Sequence, residues 1–396
     1  MGNDRVLAAA QPDHAAPRLP EQILNRIMPT WSSLGRTEFG APVDPVNALR
    51  LPGEGPIATL RVQAQIVSAR ARAAAAGLAG PKGSSFPAYL ATLLTNFLSP
   101  DGDPGLARVV AADGRVLDDR RSLEDHAWLL KALADSYVAT DSREILLIAD
   151  MVLEFLDRHL ANASIGYFED NQGGGGRRQA SHAHLLDAIL TLHAATGSPT
   201  YLKRASALFE LFHFHLLDRA SMNVGETFDR SWRVTEPSGR PIHHPASAAH
   251  WIVLLRRYGN ANGDAEALSL MHALGSRLLA QRNERGMLTR SIDAGGAAQD
   301  PSMSLRDQLH LAAAMLALTA GERRRANEVG QLETHIAAQF INPAPKGCWC
   351  ESVDSDGRSR GEPVSIETLA TLVNYAANAR HACASPPTVE RAMQAA

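Results

Sequence analysis

The chain has 396 residues, 45% of them hydrophobic and 20% charged, with 39 Lys and Arg against 42 Asp and Glu. That apolar share supports a large buried core and excludes an intrinsically disordered chain. A net charge of −3 leaves no basic excess to displace counterions from phosphates, so no nucleic-acid partner is expected.

The first twenty residues mix Asp4, Arg5, Asp13, His14 and Arg18 with Ala and Pro. Their one apolar run, Val6 to Ala10, is too short for a signal-peptide core. They read as a mobile segment, 1–20, ahead of a single domain, 21–396. Helical periodicity then recurs in Ile57–Leu78, Phe86–Leu98, Leu123–Val138, Arg143–Leu160, His182–Thr196 and Pro199–Leu217. It continues in Ala246–Tyr258, Asp264–Gln281, Met303–Leu318, Glu322–Phe340 and Ile366–Ala382. Breakers such as Gly80-Pro-Lys-Gly83 and Thr196-Gly-Ser-Pro199 separate them. Short β segments are expected only around Gly166–Glu169 and Cys348–Ser352. No apolar run approaches the ~18 residues of a membrane span, so no membrane partner is expected. The class is all-α. Helix pairs share a layout: Asp125 to Asp141 and His184 to Gly197 both end in a Thr-containing turn before a second amphipathic helix. Stacked helical hairpins follow, as an open solenoid or as six hairpins closed into an (α/α)6 barrel.

Cys348, Cys350 and Cys383 are too few for a disulfide framework, and the first two are spaced too closely for a zinc knuckle. Free thiols in a reducing, cytoplasmic compartment are the expectation. Fifteen histidines carry the chemical interest, because imidazole titrates near neutrality. His184 and Asp187 lie three apart on one helix face, so Asp187 is a candidate to fix the tautomer of His184. Ser247 and His250 repeat that spacing, as do Asp307 and His310. Gly173–Gly176 with Arg177 and Arg178 precedes a helix N-terminus, a place that suits an anion, although a surface loop explains the glycines as well. No His-x-x-x-His pair with a carboxylate lies on these helices, so no metal and no cofactor are expected. A Gly-x-Ser-x-Gly elbow is missing too, which argues against a serine hydrolase.

Several segments, taken in order, resemble the N-acylglucosamine 2-epimerase superfamily and its mannose-isomerase-like branch. They are Ile27-Met-Pro-Thr-Trp31, Val62-Gln-Ala-Gln-Ile66, Leu123-Glu-Asp-His-Ala-Trp128 and Gly166-Tyr-Phe-Glu169. Arg177-Arg-Gln-Ala-Ser-His-Ala-His-Leu-Leu-Asp-Ala188, Thr227-Phe-Asp-Arg-Ser-Trp232 and Gly347-Cys-Trp-Cys-Glu351 complete the set. The resemblance implies an (α/α)6 barrel with a central pocket for a sugar or sugar phosphate. It also implies aldose–ketose isomerisation or C2 epimerisation by proton transfer through an enediolate. His184 is retained among the family's polar groups. Ser247 stands where the family has its catalytic His, His250 replaces its Glu, and Thr371 occupies the second His position. Gln65 replaces an Arg, and Gln308-Leu-His310 replaces a Gln-x-Glu.

His184 and His250 are therefore the candidate catalytic pair. His126, Trp128, Arg178, Trp232, Trp251, Gln308, His310 and Trp349 are candidates for substrate binding, the indoles because sugar C–H faces stack on rings. Two readings stay open: an isomerase with a relocated base, or a catalytically degenerate relative that binds a carbohydrate or a protein partner. A glycoside hydrolase of the same fold would need two opposed carboxylates among Asp125, Asp187, Glu226 and Asp229. Nothing in the sequence fixes the oligomeric state.

Overall fold

The computed structural model describes residues 18–33, 57–77, 86–98, 102, 105–173, 176–235, 241–319 and 323–384. Residues 1–17 of the expected mobile segment lie outside this set. Leu19 and Pro20, at its end, already belong to a helix and are buried.

Among the described residues the chain is mostly helical. Helices α1 (Leu19–Gln22) and α2 (Met28–Ser33), joined by a π-helical turn, precede α3 (Leu60–Ala75), α4 (Phe86–Asn96), α5 (Leu123–Thr140) and α6 (Arg143–His159). Then come α7 (Gln179–Thr196), α8 (Pro199–Leu211), α9 (Pro245–Asn262), α10 (Ala265–Ala280), α11 (Leu305–Leu318), α12 (Arg323–Ile336) and α13 (Ile366–Ala384). Each of the eleven helical spans expected from periodicity overlaps one of these helices, although α5, α7, α9 and α13 run one to four residues past the expected ends. The Pro199–Leu217 and Glu322–Phe340 spans close in π-helical turns, Phe212–Leu216 and Ala337–Ile341.

The strands are where periodicity falls short. Antiparallel pieces of two or three residues, such as Ile57–Thr59 with Val109–Ala111 and Arg177–Arg178 with Thr227–Phe228, sit just before the odd-numbered helices. They are too short to show alternation. At Gly166–Glu169 the expected β segment is a single bridge, Ala161 to Tyr167, whereas Ser352–Val353 is a true strand paired with Met303–Ser304.

The odd-numbered helices from α3 to α13 form the inner layer. Each packs on the next, α3 on α5, α5 on α7, α7 on α9, α9 on α11 and α11 on α13, and α13 packs back on α3. Even-numbered helices lie outside their partners. Four of the six inner helices begin alike: Thr59, Ser122, Ser304 and Ser365 each accept a backbone N–H three residues on, while Arg178 and His244 hold the same place before α7 and α9. Such caps contribute about 1 kcal/mol each and fix where the helix starts.

Equal starts produce equal depths. The second residues pair across neighbours, Arg61 with Glu124 at 3.0 Å and Arg306 with Glu367 at 2.6 Å. The thirteenth residues do likewise: Arg72 reaches Asn378 at 2.6 Å and Arg257 reaches Thr191 at 3.0 Å. The inner helices thus run the same way and in register, and function depends on which residue type stands at which level.

The fourth level is structural. The Nδ1–H of His126 donates to Ser122 O (2.8 Å) while its Nε2 accepts the Leu106 N–H (3.0 Å). His182 repeats this with Arg178 O (2.9 Å) and the Tyr167 N–H (3.1 Å). Gln308 does the same work on α11, donating to Ser304 O and Leu288 O and accepting the Leu288 N–H. Each side chain pins the preceding loop to its own helix. The expected substrate-binding roles of His126 and Gln308 are therefore corrected: both are fully buried ties with their polar atoms satisfied inside the protein.

Burial pushes the pKa of both His126 and His182 down to about 4. Above pH ~6.5 the rings are neutral in the folded and unfolded chain alike. Between ~6.5 and about 4 only the unfolded chain takes up these protons, so stability declines as pH falls. Urea unfolding at pH 7.5 and pH 5 should give a clearly lower free energy at pH 5; equal values would contradict these assignments.

Candidate active site

The sixth residues of the inner helices are Gln65, Trp128, His184, His250, His310 and Thr371. Four of them make a continuous row of rings. Trp128 lies 4.6 Å from His184 between centroids, His184 lies 5.4 Å from His250, and His250 lies 5.1 Å from His310. The helices thus bring together the three histidines singled out in the sequence. They line a cavity of about 780 Å³, with Trp128, Glu367 and Thr371 also in its wall. It continues past the ninth and thirteenth levels, along Lys131, Asp187, Asn374, Arg72 and Arg257. Ala194, Ala195 and Asn378 in its wall are exposed, so the cavity reaches solvent at the C-terminal ends of these helices.

Burial is the main force on all three imidazoles, and it favours the neutral ring. His184 is lowered by desolvation, offset partly by Glu367, Glu124 and Asp187. Desolvation and the neighbouring His184 push His250 down to about 3. His310 lies well below its usual value for the same reasons, with His250 and Arg306 adding to the effect. The row is therefore a set of neutral imidazoles able to accept a proton, each opposing a second charge next door.

Asp187 does not orient His184 as the sequence suggested. Its carboxylate contacts Arg257 Nη1, seventy residues on, and its carbonyl accepts the Thr191 hydroxyl. Burial would raise its pKa, but Lys131 and Arg257 outweigh that and hold it well below the usual carboxylate range. It acts on His184 and His250 through its charge.

The remaining candidates lie elsewhere. Arg178 lines a separate cleft of about 160 Å³, donating to Glu124 at 2.7 Å and to Glu169 at 3.3 Å. Glu124 is partly buried, yet Arg61 and Arg178 hold its pKa below the ordinary value. Arg177 is turned inward, 4.6 Å from the Trp232 ring and 5.0 Å from Phe168, rather than toward an anion.

Trp232, Trp251 and Trp349 do not reach the cavity, which corrects their expected role. Trp232 donates to Ile165 O (3.2 Å) and stands edge-on to His182. Trp251 donates to Gln179 Oε1 (2.8 Å) and stacks on Phe212, and Trp349 donates to Glu351 Oε2 (2.7 Å). Ser247 accepts from Gln179 Nε2 (2.9 Å), which also donates to Glu226. Of the four carboxylates considered for glycoside hydrolysis, only Asp187 lines the cavity. Glu226 is bound to Gln179, Asp229 accepts backbone N–H groups, and Asp125 lies in the smaller cleft.

Sequence reasoning passed over Lys131, Arg257, Glu367 and Asn374. Their signal was the recurrence of polar residues at the second, ninth and thirteenth places after the residue that precedes each inner helix, a Ser for Lys131, Glu367 and Asn374 and His244 for Arg257. Among the described residues, no group of three or more His, Cys, Asp and Glu is arranged to hold a metal ion, and no helix is long and apolar enough to cross a membrane.

Residues 72–366 match the N-acylglucosamine 2-epimerase (GlcNAc 2-epimerase) family. The chain belongs to that family. It is 25% identical over 282 residues to a mannose-6-phosphate isomerase from Rhizobium meliloti, covering 68% of this chain and 72% of that protein. Its fold is similar to that of cellobiose 2-epimerase from Spirochaeta thermophila, with a TM-score of 0.77 at 18% identity over 93% of this chain and 96% of that one. A D-mannose isomerase is similar as well, with a TM-score of 0.75 at 15% identity over 94% of this chain and 100% of the other.

Proposed function

We propose that this chain is a sugar 2-epimerase or aldose–ketose isomerase that moves a proton at C2 through the His184–His250–His310 row of a closed (α/α)6 barrel. The observation carrying this reading is the row itself: three neutral imidazoles in contact along one cavity wall. The family, and relatives named for sugar epimerisation and isomerisation, support the reaction class. The unbroken circuit of inner-helix contacts supports the closed barrel.

In this mechanism His250 removes the C2 proton and His184 supplies one to oxygen or carbon. An imidazole with a pKa of about 3 in the empty cavity is a weak base toward water. Proton abstraction, however, creates the enediolate's negative charge beside it, so the product is an ion pair rather than an isolated buried cation. Asp187, held ionised by Lys131 and Arg257, favours the same charge separation. Because the base stays unprotonated in mild acid, the exchange rate at C2 should hold level from pH 7.5 to 5.5. A tenfold fall centred near 6.5 would mean that an ordinary, solvated histidine is the base.

Ser247 and Thr371, at the places where the resemblance expects histidines, favour a second reading in which the cavity binds a sugar without turnover. Incubation with mannose, fructose, glucose, N-acetylmannosamine and their 6-phosphates separates the two. Interconversion of any pair supports the enzyme. A sugar that raises the melting temperature but is recovered unchanged supports the binder.

A further inference from the structure

We propose that the indole N–H of Trp128, with the side-chain amide of Gln65 beside it, is the oxyanion-holding edge of this site, where the substrate's carbonyl oxygen sits as it gains negative charge. The inference rests on the proton-transfer reading above and adds residues that reading leaves without a role.

The chain has five tryptophans. Four donate their indole N–H inside the protein: Trp31 to Gly347 O (2.7 Å), Trp232 to Ile165 O, Trp251 to Gln179 and Trp349 to Glu351. Trp128 is 5% exposed and lines the cavity, yet its Nε1 has no acceptor among the described residues. Gln65 is 2% exposed, and its Nε2 is likewise without an acceptor. The two stand at the same level on adjacent helices, α3 and α5. A buried donor left unpaired costs about 1–3 kcal/mol, and one in the cavity wall, with a second at its level on the adjacent helix, marks a place for an acceptor that the described residues do not supply. Trp128 also lies against His184 at 4.6 Å, so an oxygen held at the indole edge is close to the imidazole row.

The chemistry balances without a co-reactant. The C2–H bond breaks, its electron pair becomes the C1–C2 double bond, and the carbonyl π pair moves onto oxygen. For the epimer, His184 protonates the opposite face of C2 while the proton taken up by His250 passes back along the imidazole row to His184. For the isomer, the proton returns to C1 while the C2 hydroxyl proton moves to the C1 oxygen, so that C2 becomes the carbonyl. Neutral N–H donors aimed at that oxygen bind it more strongly as an oxyanion than as a carbonyl, and removing one such donor typically costs about 10²–10³ in rate.

The test compares two ligands on the wild-type chain, Trp128→Phe and Gln65→Leu. One is an aldonohydroxamate, which carries an enediolate-like anionic oxygen; the other is the matching alditol, which carries none. The wild type should prefer the hydroxamate, and Trp128→Phe should cut that preference by about 10²-fold while alditol affinity changes less than threefold. Gln65→Leu should cut it as well, and it serves as the second reading should Trp128→Phe unfold. An unchanged preference in a folded variant overturns the proposal. A wild type that exchanges C2 protons yet keeps its preference in both variants refutes the oxyanion edge alone. A wild type without exchange and without preference refutes the underlying reaction as well.

Discussion

His250→Gln is expected to slow deuterium exchange at C2 by about 10²–10⁴, the usual worth of a positioned general base. Glutamine retains the polarity and approximate size of imidazole, but it cannot hold a proton near neutral pH. Sugar affinity should stay within a few-fold, because His250 is one of several groups at its level and the cavity wall is otherwise unchanged. The matching control is His126→Gln. It lies on the fourth level, where Gln308 already performs the same loop-pinning task with an amide. That variant should keep wild-type exchange within about threefold, since it touches nothing in the cavity. Equal losses in the two variants would mean that the sixth level has no special part in the chemistry. Isotope exchange followed by NMR, under single-substrate conditions, provides the comparison.

Asp135→Ala should be the most damaging single change to stability on the inner helices. Asp135 is fully buried on α5 and accepts from Lys131 Nζ at 2.6 Å and Ser68 Oγ at 2.6 Å, with Arg72 at 3.8 Å. Removing the carboxylate leaves the nearly buried Lys131 ammonium without its partner, a loss of about 3–5 kcal/mol. Converting both members to apolar residues of similar size, Lys131→Met with Asp135→Leu, should recover much of that loss, because no charge then stays stranded. Denaturant unfolding of the single and double variants measures both effects. A loss below about 1 kcal/mol in Asp135→Ala would show that the ammonium finds water or another acceptor.

Much of this arrangement was legible in the residues, and the parts that were not share one physical cause. Periodicity located the helices because each inner helix must bury an apolar face, and His184, His250 and His310 stood out because imidazole is costly to bury. What one helix cannot reveal is its level relative to the next. The ties made by His126 and Gln308 depend on loop amides at Leu106 and Leu288, and the partner of Asp187 is on a different helix. Trp232 and Trp349 lie in matched segments, as Trp128 does, yet only Trp128 lines the cavity; Trp128 stands on an inner helix, whereas Trp232 and Trp349 lie in the connections between helices. The short strands went unread because two residues carry no period. They nonetheless lead directly into α3, α7, α9 and α11, and so help to determine which side chains share a level.

The most direct test is incorporation of solvent deuterium. The wild-type chain, at high concentration in heavy water, is incubated with mannose, N-acetylmannosamine, fructose and their 6-phosphates, and the recovered sugars are read by NMR. Deuterium at C2 of an aldose, or at C1 of a ketose, is the predicted result. Full retention of protium at those carbons in every sugar of the panel, with the protein folded, would contradict it.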